Sequence, residues 1–418
     1  MESKAGRDWR SILLAIASLG GAALALAMAV LVLAYQAALT LGGDRQMQPL
    51  LDAVLLASAI LFVGALLIPP AYYSIQRLIG RPVAAETTGP MTIRAGVLLV
   101  LAWLGVTALA QIFYGNSLLR WITPPFYILS IGLPVYFFAR LAIGGLSAGS
   151  RQGTWGALGS GMLLGPSLAG FVELAMVVFL LIGVGIYLAF DPAARIGLDL
   201  MRQQLNSASN PDTILNLLSP YLIKPAVIAL ALLFFSVIAP AVEETAKSLT
   251  AWAVFDHLSS PSRGFVIGAL SGTGFGMVES LLASVQPDPS WATTLFVRGG
   301  TTMMHILTAS LTGWGIAWFR AHHRPGRMIG AYAAAMFLHG LWNGCVIVVL
   351  VGSVHAGLGT RSENLAGTAL IVLGLSILTI VTLVVPFALG LINRRLRLAE
   401  TRVPIQGVAE DKNLEGVK

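Results

Sequence analysis

Charged residues are scarce in this sequence, and their scarcity excludes most soluble folds. Asp, Glu, Lys and Arg make up 11% of the 418 residues, whereas a soluble globular protein carries about 25%. Hydrophobic residues make up 56%, and the mean hydropathy is +0.80. The composition therefore argues against a soluble enzyme and against a disordered chain, and it favours a bundle of helices within a lipid bilayer.

Cysteine and intramembrane aspartate are also nearly absent, which narrows the chemistry that the chain can perform. The single cysteine, Cys345, cannot form an intrachain disulfide or a zinc site of several cysteines. Every aspartate lies near the end of an apolar stretch or between two stretches, so a pair of catalytic aspartates within the membrane is missing. The net charge of +7 reflects basic residues in short connecting loops, and we predict no nucleic-acid partner.

Long apolar stretches are abundant, and they predict an all-α polytopic membrane protein. An apolar stretch of about 20 residues is long enough to cross a bilayer as a helix. The connections on one side carry eighteen Lys and Arg residues and those on the other side seven, which predicts cytoplasmic N and C termini. We predict about ten transmembrane helices, at residues 11–37, 50–73, 92–114, 119–142, 166–190, 225–256, 263–285, 296–319, 328–352 and 365–392.

The longest polar connection divides the chain into two helical halves. We expect an N-terminal five-helix membrane region at 1–190, an extracytoplasmic loop at 191–223, a C-terminal five-helix catalytic membrane domain at 224–392 and a cytoplasmic tail at 393–418. The sixth apolar stretch is too long for one straight helix. It contains Pro240, which lacks a backbone N–H and is expected to kink the helix.

Ionisable and amide side chains interrupt four of the C-terminal stretches. Such a group costs a few kcal/mol within a bilayer, so its presence there points to a function. Counted from the predicted cytoplasmic ends of their helices, these side chains all lie at a depth of roughly 18–24 Å. We therefore predict that one layer of the membrane contains a catalytic site, formed by Glu243, Glu244, Glu279, His305, His339 and Asn343.

The surroundings of these residues suggest how the helices pack. Glu243 and Lys247 are four residues apart and share one face of a helix. Glycines at four-residue spacing, among them Gly272 and Gly276, form a stripe along which another helix backbone can approach closely. Glu173, in the N-terminal half, has no partner in this pattern, and we interpret it as a structural residue.

The predicted site residues suffice to activate a water molecule for hydrolysis. A glutamate can take the proton of the water, and histidine or asparagine donors can stabilise the oxyanion that forms. A metal-assisted version would use a divalent ion such as zinc, because catalytic zinc takes three His, Glu or Asp ligands and a water. For that version we predict Glu279, His305 and His339 as the metal ligands, with Glu243 or Glu244 as the base. The residues leave both versions open.

Other functions fit only parts of the pattern. A proton-coupled transporter would use the same layer of Glu and His residues as a relay. Transporters often show interrupted helices in both halves, whereas here the polar residues occur only in the second half. A serine dyad of Ser271 with a membrane histidine would leave the carboxylates without a role. A non-catalytic scaffold would leave their insertion cost without compensation.

Together the motifs resemble a known family of membrane enzymes. The motifs that carry the resemblance are Glu243-Glu244-x-x-Lys247, Phe275-x-x-x-Glu279, His305 and His339-x-x-x-Asn343, within residues 235–350. In this order they resemble the PrsW family of intramembrane proteases, which is similar to the CAAX prenyl protease and Abi superfamily. Glu279 stands where that superfamily has a histidine.

The resemblance implies proteolysis of a membrane-embedded protein. The substrate would be a single-span membrane protein similar to an anti-sigma factor, and the enzyme would lie in the cytoplasmic membrane of a bacterium. Glu243 and Glu244 would hold or activate the water. His339 and Asn343 would assist the water or form the oxyanion pocket, and the other two predicted site residues would complete the site. The N-terminal five helices have no counterpart in the family core.

Overall fold

The structure is a computed structural model that describes residues 8–41, 47–85, 89–207, 211–285, 291–358 and 361–402. These residues form an all-α polytopic membrane protein, and no β-strand occurs among them. The helices of the N-terminal half are α1 Trp9–Leu41, α2 Met47–Leu66, α3 Ile68–Leu78, α4 Ile93–Gly115, α5 Thr123–Ile143 and α6 Arg151–Phe190. The helices that follow are α7 Pro192–Ser207, α8 Pro211–Leu222, α9 Pro225–Leu233, α10 Ala239–Ala253, α11 Pro261–Ala283, α12 Trp291–His322, α13 Gly326–Leu358 and α14 Arg361–Arg402.

Nine helical stretches within the described ranges are long and apolar enough to cross a membrane, which confirms the predicted fold class. The predicted stretch 296–319 is not among these nine, although it lies within α12, a helix of 32 residues. Most side chains of α12 are buried against other helices. A helix covered by its neighbours does not need an apolar surface towards lipid, so α12 carries more polar residues than the others.

Two segments predicted as polar connections contain helix. The predicted loop 191–223 contains α7 and α8, and α7 is amphipathic, as helices at a membrane surface are. The predicted tail begins as a continuation of α14, which reaches Arg402, and residues 403–418 lie outside the described residues. The end of α14 is tethered because the hydroxyl of Ser262 donates to the Glu400 carboxylate.

The sixth predicted stretch contains a π-turn directly before Pro240, and the predicted kink at Pro240 stays a prediction. A π-turn at Phe234–Ile238 separates α9 from α10. The backbone N–H of Ala239 donates to the carbonyl of Phe234, which is the five-residue spacing of a π-helix. Pro240 then lies in the first turn of α10, where the missing N–H is tolerated. The backbone stays helical from α9 through the π-turn into α10.

Helices α11 and α12 lie at the centre of the bundle with their backbones in contact. A Cβ atom placed on Gly272 would overlap the carbonyl oxygen of His305, and one on Gly268 would overlap the carbonyl oxygen of Ala309. The predicted close approach along the glycine stripe is therefore confirmed. The same contact holds the end of α11 that carries Glu279 against α12.

Helix α6 covers another side of α11, so the two predicted halves of the chain share a core. A Cβ atom on Gly161 would overlap the backbone of Ser271, and one on Gly165 would touch the ring of Phe275 at 2.7 Å. One turn further along, Ala169 packs against the same ring and against α10. A helix of the predicted N-terminal region thus forms a wall of the predicted catalytic domain.

Candidate functional site

Helix α10 carries three charged side chains that contact one another. The ammonium group of Lys247 donates to Glu244 Oε1 at 2.8 Å and to Glu243 Oε2 at 3.3 Å. The side chains of Glu244 and Lys247 are completely buried, and that of Glu243 is 12% exposed. A buried charge without a partner is strongly destabilising. The three- and four-residue spacing lets one helix carry both the acids and their counter-ion.

His305, on α12, connects this group to α11. Its Nδ1 lies 2.7 Å from the Lys247 ammonium, and its Nε2 lies 2.6 Å from Glu279 Oε2. Because an ammonium group can only donate, Nδ1 accepts and the ring proton resides on Nε2, which donates to Glu279. Arg298 holds the other carboxylate oxygen, Glu279 Oε1, at 2.9 Å. The histidine ring is therefore fixed from both sides.

His339, on α13, connects the group to a fourth helix. Its Nδ1 lies 2.9 Å from Glu244 Oε1, and since a carboxylate only accepts, Nδ1 carries the proton. Its Nε2 is then the unprotonated nitrogen, and it lies 3.7 Å from Glu243 Oε2. The rings of His305 and His339 meet edge to face with their centroids 4.9 Å apart.

The two carboxylate oxygens of Glu244 differ in their hydrogen bonding within the described part of the chain. Oε1 accepts from Lys247, from His339 and from the hydroxyl of Thr308 at 3.0 Å. Oε2 is buried and has no hydrogen-bond partner among the described residues. A buried polar oxygen without a donor calls for a specific explanation. An oxygen in this state is available to accept a proton or a water hydrogen.

The side chains that could hold a metal are Glu243, His305 and His339. Each offers one ligand atom, and these atoms lie within 4.8 Å of one another. The second ring nitrogen of each histidine is bound by a carboxylate, Glu279 for one and Glu244 for the other. Metal-ligating histidines in proteins show this arrangement, which fixes the tautomer and the ring orientation. The ligand types and their support therefore fit a divalent ion such as zinc.

This set differs in one residue from the ligands predicted from the sequence. Glu279 contacts His305 from the side opposite Lys247, because it binds Nε2 while the ammonium binds Nδ1. Its carboxylate is also paired with Arg298. The geometry favours Glu243 in place of Glu279 as the carboxylate ligand, with Glu279 as a residue that orients His305.

Lys247 occupies the space next to the candidate metal ligands. Its ammonium group contacts His305 and Glu243, and it lies 4.3 Å from the centroid of the Phe275 ring. A metal bound through Nδ1 of His305 would use the lone pair that accepts from Lys247. The lysine and a metal ion therefore compete for the same acceptors.

Two residues considered in the sequence lie apart from this network. The amide of Asn343 donates to the backbone carbonyl of Phe235 at 2.9 Å. The hydroxyl of Ser271 donates to the backbone carbonyl of Lys247 at 2.9 Å and contacts the Thr250 hydroxyl at 3.0 Å. Neither contact involves a histidine, so the structure offers no support for a serine dyad.

Sequence reasoning missed two residues around the network and interpreted a third, Glu173, as structural only. Arg298 and Thr308 supply donors to Glu279 and Glu244, and only their position in the helix that carries His305 could have suggested this. Glu173 of α6 interacts electrostatically with several groups of the network. Its Oε1 is buried without a hydrogen-bond partner in the described part of the chain. The signal for Glu173 was its place one turn beyond Ala169, on the face of α6 that packs against α10 and α11.

Comparison with known proteins gives a family match for part of the chain. Residues 207–385 match the family model described as PrsW family intramembrane metalloprotease. The matched range includes all six predicted site residues, and it covers less than half of the chain. A search of curated proteins and a search of solved structures each found no match. The similarity to the CAAX prenyl protease and Abi superfamily stays a prediction.

Proposed function

We propose that this protein is an intramembrane endopeptidase, a hydrolase that cleaves a peptide bond of a membrane-embedded protein with an activated water molecule. The observation that carries the proposal is the convergence of Glu243, His305 and His339 from three helices, beside the unpartnered oxygen of Glu244. The match of residues 207–385 to a family of intramembrane metalloproteases supports the same reaction class.

The roles of the side chains follow from their contacts. Glu243, His305 and His339 would hold the metal, which when bound lowers the pKa of a coordinated water and polarises the scissile carbonyl. Oε2 of Glu244 would accept the proton of the attacking water, since no donor among the described residues competes for it. With the metal bound, the ammonium of Lys247 would keep its contact with Glu244 and would place positive charge near the developing oxyanion.

The proposed substrate is a single-span membrane protein, similar to an anti-sigma factor, in the cytoplasmic membrane of a bacterium. Two observations support a substrate that arrives within the membrane. The site residues lie on helices whose neighbours are apolar and long enough to span a bilayer. Glu279 and Glu243 are the carboxylates with exposed surface, 32% and 12% of their side chains, so the network is open on their side.

Cleavage by the purified full-length protein tests the proposal. The protein is reconstituted in liposomes with single-span bacterial membrane proteins labelled at both ends, and products are identified by mass spectrometry. Glu244→Gln and His339→Ala should each abolish the product, and a chelator should do the same unless zinc is restored. The metal content of each purified variant, measured directly, separates loss of metal from loss of the base.

Matched variants away from the network control for general damage. His355 binds a backbone carbonyl of its own helix, and Glu400 pairs with Ser262, so His355→Ala and Glu400→Gln should keep full activity. Proton flux into the same liposomes is recorded with a pH-sensitive dye. If the wild type cleaves none of the labelled proteins but carries protons, and this flux depends on Glu244 and His339, the protease proposal fails and the transporter is supported.

A further inference from the structure

The side chain of Asn343 binds the backbone at the π-turn rather than any catalytic group. Its Nδ2 donates to the carbonyl oxygen of Phe235 at 2.9 Å. Phe235 is the second residue of the π-turn Phe234–Ile238, which joins α9 to the helix that carries Glu243. The contact thus links α13 to the segment that sets the start of α10.

The carbonyl of Phe235 needs a donor from outside its own helix. In the π-turn the N–H of Ala239 donates to Phe234, five residues earlier. In the same register the carbonyl of Phe235 would accept from residue 240, which is proline and has no N–H. Water is absent from the hydrocarbon core of a bilayer, so this carbonyl would otherwise remain unpaired. The Asn343 amide supplies the hydrogen bond that Pro240 cannot.

The packing of α13 against the π-turn fits this role. A Cβ atom on Gly340 would overlap the carbonyl oxygen of Ser236, and one on Gly344 would lie 3.1 Å from the Ser236 hydroxyl oxygen. The two glycines let the backbone of α13 rest on the turn at the level of Asn343. His339 is four residues before Asn343, so one face of α13 contacts both the turn and Glu244.

We propose that Asn343 is a positioning residue, which stabilises the π-turn and thereby fixes the rotation of α10 around its axis. Each residue of an α-helix turns the chain by about 100°. Relaxation of the π-turn to an α-turn would therefore change which face of α10 carries Glu243 and Glu244 towards the histidines. The catalytic consequence rests on the proposed function, whereas the hydrogen bond itself does not.

A double-mutant cycle of Asn343→Ala and Pro240→Ala tests this assignment. Alanine at 240 restores an N–H for the Phe235 carbonyl, so the loss caused by Asn343→Ala should shrink in the Pro240→Ala background. We expect Asn343→Ala to lower kcat by about 10- to 100-fold with little change in KM, and the double variant to regain most of that loss. The melting temperature in detergent should show the same non-additivity, and it does not require proteolysis.

The outcomes separate the two proposals. Equal losses in both backgrounds, for kcat and for the melting temperature, would show that Asn343 acts on something other than the Phe235 carbonyl. If Asn343→Ala does not fold, recovery of folding in the double variant supports the assignment, and its absence overturns it. If the wild type cleaves no substrate, the melting temperatures still decide the role of Asn343, while the proposed function fails by itself.

Two matched variants control for general effects. Asn393 also donates to backbone carbonyls, those of Ala142 and Gly144, so Asn393→Ala should lower the melting temperature and leave kcat unchanged. Pro386 lies inside α14, and Pro386→Ala should not rescue Asn343→Ala. A rescue by Pro386→Ala as large as that by Pro240→Ala would mean that any added helix stability suffices, and it would refute the proposal.

Discussion

Replacement of Gly272 by alanine should damage the site without altering any of its functional side chains. The added methyl would overlap the carbonyl oxygen of His305 and would lie 2.9 Å from the Cβ of Ala309. Both obstacles belong to α12, and a backbone carbonyl cannot rotate away as the tip of a side chain can. The two central helices therefore have to move apart.

The size of the effect follows from the contact distances. Ordinary van der Waals contact of a Cβ atom is 3.4–4 Å, so α11 and α12 must separate by about 1 Å, a misplacement that can lower a rate by about 100-fold. The hydrogen bond of 2.6 Å between His305 and Glu279 spans the same two helices. Overpacking of this kind costs about 1–3 kcal/mol of stability, against a gain of up to about 1 kcal/mol from the better helix propensity of alanine.

The assay pairs thermal unfolding with cleavage of the labelled substrate in liposomes. Gly272→Ala should melt at a lower temperature and cleave about 100-fold more slowly. Gly105, in α4, has no atom within 4 Å of the position that an added methyl would take, so Gly105→Ala should match or exceed the stability of the wild type. Wild-type stability and activity in Gly272→Ala would refute the backbone contact between α11 and α12.

Three further substitutions test the charges. Lys247→Met should lower the free energy of unfolding by about 3–5 kcal/mol, because it leaves buried carboxylates without their ammonium partner. Zinc should raise the melting temperature of this variant more than that of the wild type. Equal rises in melting temperature would argue against a position shared by the ammonium and the metal. Thr308→Val removes one donor to the charged carboxylate of Glu244 and should cost about 1.5–3 kcal/mol in denaturant unfolding. Burial opposes the ionisation of Asp8 just before α1, but the hydrogen bonds from Ser11 and the charge and hydrogen bond of Arg77 together outweigh it and lower the pKa of Asp8. The stability it contributes is complete above about pH 4 and is lost as the pH falls through the lowered pKa, so Asp8→Asn should destabilise at pH 7 and converge with the wild type in acid.

The sequence predicts the helices and the layer of the site because both depend only on where residues lie along the length of each helix. Apolar length identifies a helix, and counting from its end places Glu279 and His305 at similar depths. The rotation of each helix about its axis is not fixed by such a count. Whether Glu243 or Glu279 faces the free nitrogens of both histidines depends on the π-turn and on the glycine contact, which are tertiary features.

Composition also could not predict that the two halves of the chain share a core. Helix α6 carries few polar residues, so hydropathy treats it as one more lipid-facing span. Its glycines Gly161 and Gly165 are informative only once the backbone of Ser271 and the ring of Phe275 are known to face them. Glu173 lies on the same face, and this packing brings it near enough to interact electrostatically with the network.

The charge balance of the network argues for chemistry rather than for stability. The carboxylates of Glu243, Glu244 and Glu279 contact two fixed cations, Lys247 and Arg298, which leaves one excess negative charge when both histidines are neutral. In a medium of low dielectric constant such an excess attracts a proton or a metal cation strongly. Apolar side chains of similar volume often stabilise a protein as well as a buried ion pair does. A membrane protein that needed only packing would gain nothing from this cluster, whereas a hydrolase needs both a cation and a proton acceptor at one point.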